Sequence, residues 1–327
     1  MLAIIASAHG SPEVLTLREV PDPTPAAGQV TVAVTAAGVN FIDTYQRSGV
    51  YPVPTPFTPG LEGAGTVTAV GPEVTGFAVG DRVAWCAGAG SYAEQVVIGA
   101  EDCFHVPAGI ALPTAAALML QGLTAHYLSA STFPLQSGHV ALVHAGAGGV
   151  GLLLTQLAVA RGARVITTVS SDDKEHLSRE AGASDVVRYD KMTDLSRELP
   201  SAIRELTGGT GVDVVYDGVG ASTFDGSLAS LAPRGTLVLF GGASGQVPAF
   251  DLQRLNAAGS LWVTRPSLGH YLASQEERAW RAGELFSAVA AGELNVRIGV
   301  TYSLAEAAAA HAALEARTTM GKVLLLP

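Results

Sequence analysis

Cysteine, lysine and charge in general are scarce in this chain. Its 327 residues hold two cysteines, Cys86 and Cys103, and three lysines, Lys174, Lys191 and Lys322. Two thiols cannot build a four-thiolate zinc lobe, and one optional disulfide is a weak reason to expect secretion, so a reduced, cytoplasmic setting is expected. Charged residues make up 15% of the chain against 48% hydrophobic ones, which suits a large core and argues against disorder. The formal charge of −10 argues against a nucleic-acid surface, where a basic face is expected. No apolar run approaches the ~20 residues a membrane helix needs. The opening MLAIIASAHGSPEV has no basic segment and is soon interrupted by polar residues, so it reads as a first strand rather than a signal peptide.

Glycine, by contrast, is abundant, and one cluster of it organises the chain. Residues 139–151 read HVALVHAGAGGVG. An apolar run at 140–143 predicts a short buried strand. Gly146, Gly148 and Gly151 then match G-x-G-x-x-G, with Ala147, Gly149 and Val150 between them. Val150, Leu153, Leu154 and Leu157 follow at helical spacing. Strand, glycine turn and helix in that order form the context in which the motif predicts a dinucleotide site. The first two glycines admit a tight turn and close approach to a pyrophosphate, and the third admits close packing of helix on strand. The helix N-terminus offers unpaired N–H groups to phosphate.

Around this centre the texture changes along the chain. Residues 1–122 predict a β-rich, barrel-like unit, with strands at 14–20, 30–38, 65–70, 82–85 and 92–98 separated by Pro and Gly clusters. A helical pattern fills 113–131. From 139 strands and helices alternate: strands at 164–169, 185–189, 212–216, 235–240 and 260–263, helices around 173–181, 195–207 and 222–231. That alternation predicts an α/β fold with a doubly wound parallel sheet. The expected division is a catalytic domain at 1–122, a dinucleotide-binding domain at 123–266, and a segment at 267–327 that returns to the first. This last segment carries helices at 276–291 and 304–316 and a final strand at 322–326.

Four stretches frame the glycine motif: AAGVNFIDTYQRSGVYP (36–52), TPGLEGAGTVTAVG (58–71), VGDRV (79–83) and GSLWVTRPSLGHY (259–271). With the ending EARTTMGKVLLLP they resemble the zinc-free quinone oxidoreductases of the medium-chain dehydrogenase/reductase superfamily. The resemblance implies a barrel-like domain, a six-stranded nucleotide domain, a cleft between them, a homodimer, and NADPH-dependent reduction of quinones. Zinc-dependent relatives hold a metal with a Cys in the first block and a His in G-H-E. Asn40 and Leu61 stand there, and neither replaces a thiolate or imidazole. His9, His105, His126, His139, His144, His176, His270 and His311 show no metal-ligand spacing, so no metal is expected.

Cofactor choice is read at the tip of the second strand. NAD-specific folds place a carboxylate there; residues 164–169 are followed instead by Ser170 and Ser171. A neutral hydroxyl removes repulsion toward a 2′-phosphate and can donate to it. Lys174 supplies charge within reach, whereas Asp172 and Asp173 are read as the N-cap and first turn of the next helix, pointing outward. The resemblance adds Tyr189 and Arg317 as phosphate or adenosine contacts. NADPH is expected over NADH.

Without metal, hydride transfer to an electron-poor quinone needs positioning and hydrogen-bond donors more than strong activation. The resemblance places Asn40, Asp43, Tyr45 and Tyr51 near the cleft as positioning groups, with Phe41 and Ile42 on the cofactor side. Asn40 and Tyr51 can donate to a carbonyl or to the nicotinamide amide, and Tyr45 can donate or line the pocket. Asp43 is expected to brace Arg47 at i, i+4 if the stretch is helical. Ligands of a doubly wound sheet sit beyond the strand ends, which selects Gly218 after the fourth strand, Phe240, Gly242 and Ser244 after the fifth, and Val263 and Arg265 after the sixth. Thr124 is a nicotinamide-side contact by resemblance. An enoyl or alkenal double-bond reductase on the same scaffold is the alternative enzyme. A non-catalytic, crystallin-like NADPH-binding protein is the alternative of another class.

Overall fold

The computed structural model describes residues 1–327, which divide into two compact units, Met1–Leu123 with Ala282–Pro327, and Thr124–Arg281. The second boundary falls inside the helix Gln275–Ala290. No helix is long and apolar enough to cross a membrane.

The first unit is built on an antiparallel sheet whose longest strand is Gln29–Val39. Val30, Val32, Ala37 and Val39 of this strand are buried in one apolar core with Val67, Val83, Trp85 and Tyr92. The strand pairs with Glu62–Val70, Gln95–Gly99 and Lys322–Leu326, and two register shifts against Glu62–Val70 bend it. The C-terminal KVLLL therefore lies inside the sheet, with Val323 opposite Val39 and Leu324 opposite Gly38. Its other neighbour is the parallel strand Ile298–Ser303, which sequence reasoning left unassigned.

At Asn40 the long strand hands over to a helix, Phe41–Ser48. The Asp43 carboxylate, in the first turn, accepts the Asn40 N–H at 2.8 Å, which meets the donor the helix start leaves open. Gly49 closes the helix in the left-handed region at φ 82°.

The second unit contains six parallel strands: Val140–Val143, Arg164–Val169, Asp185–Arg188, Val212–Asp217, Leu231–Leu239 and Trp262–Thr264. Their spatial order is third, second, first, fourth, fifth, sixth. Order reverses between the first and fourth strands, so their C-terminal ends open the crevice where such sheets bind ligands. The fifth strand starts at Leu231 rather than 235, and the sixth runs two residues later than 260. Leu231 pairs with Val212 ahead of a register shift, and regular pairing resumes at Thr236, after Arg234 at φ 65°, close to the expected 235. Ser260, at φ 58°, precedes the sixth strand.

Candidate functional site

Where the first parallel strand stops, His144 and Ala145 lead into the glycine turn. Gly146 N–H donates to Thr168 O at 3.0 Å and Gly148 N–H to Ala145 O at 2.8 Å, which seats the turn on the second strand. A Cβ on Gly146 would lie 2.6 Å from Thr167 Cβ, and one on Gly151 would lie 2.3 Å from Ala145 O. No side chain fits at either place. Gly149 and Val150 open the helix Gly149–Ala160 and stay half-buried with Gly148. A glycine-rich turn at a helix N-terminus fits a pyrophosphate.

Beyond the fourth and fifth strands the exits interlock. Ala243 N–H donates to Gly218 O at 3.2 Å, and Ser244 N–H to Val219 O at 2.7 Å. Ser244 Oγ donates to the same carbonyl at 2.8 Å and accepts Ser222 N–H at 2.9 Å, so this hydroxyl serves the loop. A Cβ on Gly218 would lie 2.8 Å from the Phe240 ring, and Gly242 is buried. After the sixth strand Val263 is half-buried and Arg265 exposed. Thr124 is buried in the helix Leu112–Tyr127.

The tip of the second strand brings Ser170 and Lys174 together: the ammonium donates to Ser170 Oγ at 3.3 Å. The helix that carries Lys174, Asp172–Glu180, is capped by Ser171, whose Oγ accepts Lys174 N–H at 3.3 Å. This corrects the placement of the cap at Asp172. Asp172 and Asp173 are exposed first-turn residues, and Asp172 pairs with Arg188. Arg188 also binds the Asp190 carboxylate through two bonds of 2.8 Å. Sequence reasoning missed Arg188, which cancels acidic charge beside the corner while Lys174 is directed at Ser170. Tyr189 follows it, half-buried. Arg317 belongs to the other unit, exposed and at φ 57°.

In the first unit the expected positioning residues separate into buried and half-buried sets. Phe41, Ile42, Tyr45 and Tyr51 are half-buried. The Tyr45 and Tyr51 rings meet edge to face at 5.4 Å, and Tyr51 N–H donates to Tyr45 O at 3.0 Å. Asn40 and Asp43 are buried. The Asn40 amide donates to Glu62 Oε2 at 2.8 Å and accepts from Lys322 Nζ at 2.7 Å. Lys322 also pairs with Glu62, both essentially without solvent exposure, and Leu120 N–H donates to Glu62 Oε1 at 2.6 Å. Asn40 therefore directs its amide into the protein.

Asp43 makes no pair with Arg47, contrary to the i, i+4 expectation. Arg47 turns away to Glu315, with bonds of 2.6 and 3.2 Å. Asp43 Oδ2 accepts Tyr92 OH at 3.0 Å, and Tyr92 OH lies 3.1 Å from His311 Nε2. Since the phenol proton goes to Asp43, His311 must donate from Nε2, which leaves Nδ1 to accept from Arg47 at 3.4 Å. Burial, reinforced by Arg47, pushes His311 down to about 3. Burial pushes Asp43 up to about 7 against the two hydrogen bonds on Oδ2; Oδ1 has no partner.

The place where zinc relatives hold their metal does not fit a metal in this chain. An ammonium, Lys322, stands between Glu62 and Asn40, and no three His, Cys, Asp or Glu side chains gather as a ligand group. A cation already fills the electrostatic role there.

Residues 26–108 match the alcohol dehydrogenase GroES-like domain, and residues 149–281 match the zinc-binding dehydrogenase family. A quinone oxidoreductase of Pseudomonas aeruginosa is 47% identical over 98% of both chains. A mycobacterial protein solved in complex with NADPH is 52% identical, with all of both chains covered and a TM-score of 0.97. The Escherichia coli quinone oxidoreductase complexed with NADPH is 41% identical with the same coverage and a TM-score of 0.96. The chain belongs to the quinone oxidoreductases of the medium-chain dehydrogenase/reductase superfamily.

Proposed function

We propose that this protein reduces quinones with NADPH and without metal. The observation that carries the reading is the Ser170–Lys174 corner, a neutral hydroxyl and an ammonium at 3.3 Å, at the second-strand tip beside the glycine-rich cradle. Bound there, NADPH supplies a hydride from nicotinamide C4. The chain's own part is to hold the pyrophosphate on the Gly146–Gly151 turn and to take the 2′-phosphate on Ser170 and Lys174, with Tyr189 and Arg317 as further contacts. The phenols of Tyr45 and Tyr51 are the donors for charge developing on a quinone oxygen. Asn40, its amide held by Glu62 and Lys322, fixes the start of the helix that carries Tyr45, and Tyr51 follows just beyond its end.

The test is NADPH oxidation, followed by loss of its absorbance, against quinones, enones and aldehydes. Turnover of quinones in chelator, with no stoichiometric zinc by elemental analysis, is the expected result. Turnover of enones alone would replace quinones by the double-bond reductase reading. A cytoplasmic setting accords with Cys86 and Cys103 forming no disulfide. A homodimer accords with the sheet ending in Trp262–Thr264, whose Trp262 is 68% exposed on an edge strand. Sedimentation of a monomer at micromolar concentration would remove that assignment.

A further inference from the structure

Beneath the cradle lies a buried polar chain that the proposed hydride transfer does not use. His144, the residue before the glycine turn, engages both ring nitrogens: Nδ1 lies 2.9 Å from Thr168 Oγ1 and Nε2 2.9 Å from Ser227 Oγ. Ser227 Oγ donates to Asp217 Oδ2 at 2.7 Å, so it can only accept from the imidazole. His144 is therefore the Nε2–H tautomer, and Nδ1 accepts from Thr168. The donor order runs Thr168, His144, Ser227, Asp217. Asp217 in turn takes the backbone N–H groups of Val219 and Gly220 at 2.8 and 3.0 Å. The serine sits between imidazole and carboxylate, the wrong order for an activated nucleophile, and all four side chains are buried.

The chain joins three strand ends. His144 follows the first strand directly, Thr168 lies on the second two residues before Ser170, and Asp217 frames the loop after the fourth. Ala145 sits in the left-handed region at φ 53°, a conformation that costs a non-glycine residue energy and needs neighbours to impose it. His144, fixed at both nitrogens, is the adjoining anchor. Burial holds the imidazole below its ordinary pKa, so the donor order persists at neutral pH.

We propose that His144 is a positioning residue of the dinucleotide cradle, holding the glycine turn, the second-strand tip and the fourth-strand loop in one geometry through Thr168, Ser227 and Asp217. Its side chain is buried and both ring nitrogens are taken by protein partners, so its role is exerted through them. This rests on the NADPH reading above and adds a residue to it.

The experiment is fluorescence titration of NADPH and NADH, well below each variant's Tm, with His144→Phe, Ser227→Ala, their double variant and His144→Gln. His144→Phe keeps the ring volume but leaves the buried Thr168 hydroxyl without its acceptor and Ser227 without its donor, so Kd should rise about tenfold. The rise should be equal for both cofactors, because the geometry held is that of the shared pyrophosphate. Ser227→Ala, the milder change if the phenylalanine variant fails to fold, should act in the same direction. The double variant should lose no more than the worse single one. His144→Gln, which restores a donor toward Ser227, should recover part of the affinity. A lower Tm with unchanged Kd in both single variants would overturn the proposal, as would additive losses in the double variant. Wild-type protein that binds no NADPH would overturn the cofactor reading itself, an outcome distinct from wild-type binding that the variants leave intact.

Discussion

Each unit buries a polar network, and the two differ in how they satisfy a carboxylate. In the nucleotide unit Asp217 is surrounded by donors: two backbone N–H groups, Ser227, and Thr223 Oγ1 at 2.7 and 2.9 Å. Neutral dipoles suffice there. The first unit instead balances full charges, Glu62 with Lys322 and Arg47 with Glu315, and leaves Asp43 with one oxygen unpaired. Dipoles fixed by a loop can be removed singly at modest cost. A buried ion pair cannot, because the surviving charge stays buried without its partner.

That contrast makes the largest expected effect a stability loss in the first unit. Lys322→Met leaves Glu62 uncompensated beside Asn40 and should cost about 3–5 kcal/mol in urea unfolding. Lys322→Met with Glu62→Gln together should cost clearly less than Lys322→Met alone, since no charge is then stranded. A double variant as unstable as the single one would show that packing, not charge balance, is what Lys322 supplies.

The second effect is on binding and lies in the nucleotide unit. Charge-assisted hydrogen bonds contribute about 1.5–3 kcal/mol, so Lys174→Ala should weaken NADPH roughly ten- to a hundredfold and leave NADH nearly unchanged. Ser170→Asp should shift preference further by adding repulsion toward the 2′-phosphate. Equal loss of both cofactors in Lys174→Ala would mean that the lysine serves the fold, and NADPH affinity that stays put would shift attention to Tyr189 and Arg317.

The same contrast decides what was legible in the sequence. The glycine cradle spans residues 144–151, and its strand, turn and helix each carry a local signature. The strands Arg82–Trp85, Arg164–Val169 and Lys322–Leu326 fell where apolar periodicity put them. The ion pair of Glu62 and Lys322 joins residues 260 apart, and no local pattern encodes such a meeting. Asp43 was misread for a related reason. The i, i+4 rule describes exposed helix faces, whereas Asp43 faces inward to Tyr92 and Arg47 reaches Glu315 from a distant helix. Arg188 escaped because the carboxylates it binds lie on two different elements, Asp172 at the start of the preceding helix and Asp190 in the turn after its own strand. Ile298–Ser303 escaped because Gly299 interrupts a short, half-buried strand whose place is set only by pairing with Lys322–Leu326.

The smallest effect is a slope with pH, and it separates Asp43 from His311 within one network. Between about pH 4 and 7 the folded chain keeps the Asp43 proton that the unfolded chain releases, so this group lowers stability as pH rises. Between about pH 3 and 6.5 the unfolded chain protonates His311 while the folded chain leaves it neutral, so this group lowers stability as pH falls. In the wild type the two slopes oppose each other over most of that range. Asp43→Asn removes the first, so its stability relative to wild type should improve steadily from pH 4 to 7. His311→Gln removes the second, so its deficit relative to wild type should narrow from pH 6.5 toward 3. Each tilt is at most about 1.4 kcal/mol per pH unit, the value for one proton. Urea unfolding of the three proteins across this range reads it directly. Curves that run parallel to wild type would mean that neither group titrates differently on folding, and that the buried line from Arg47 to Asp43 is bridged by water.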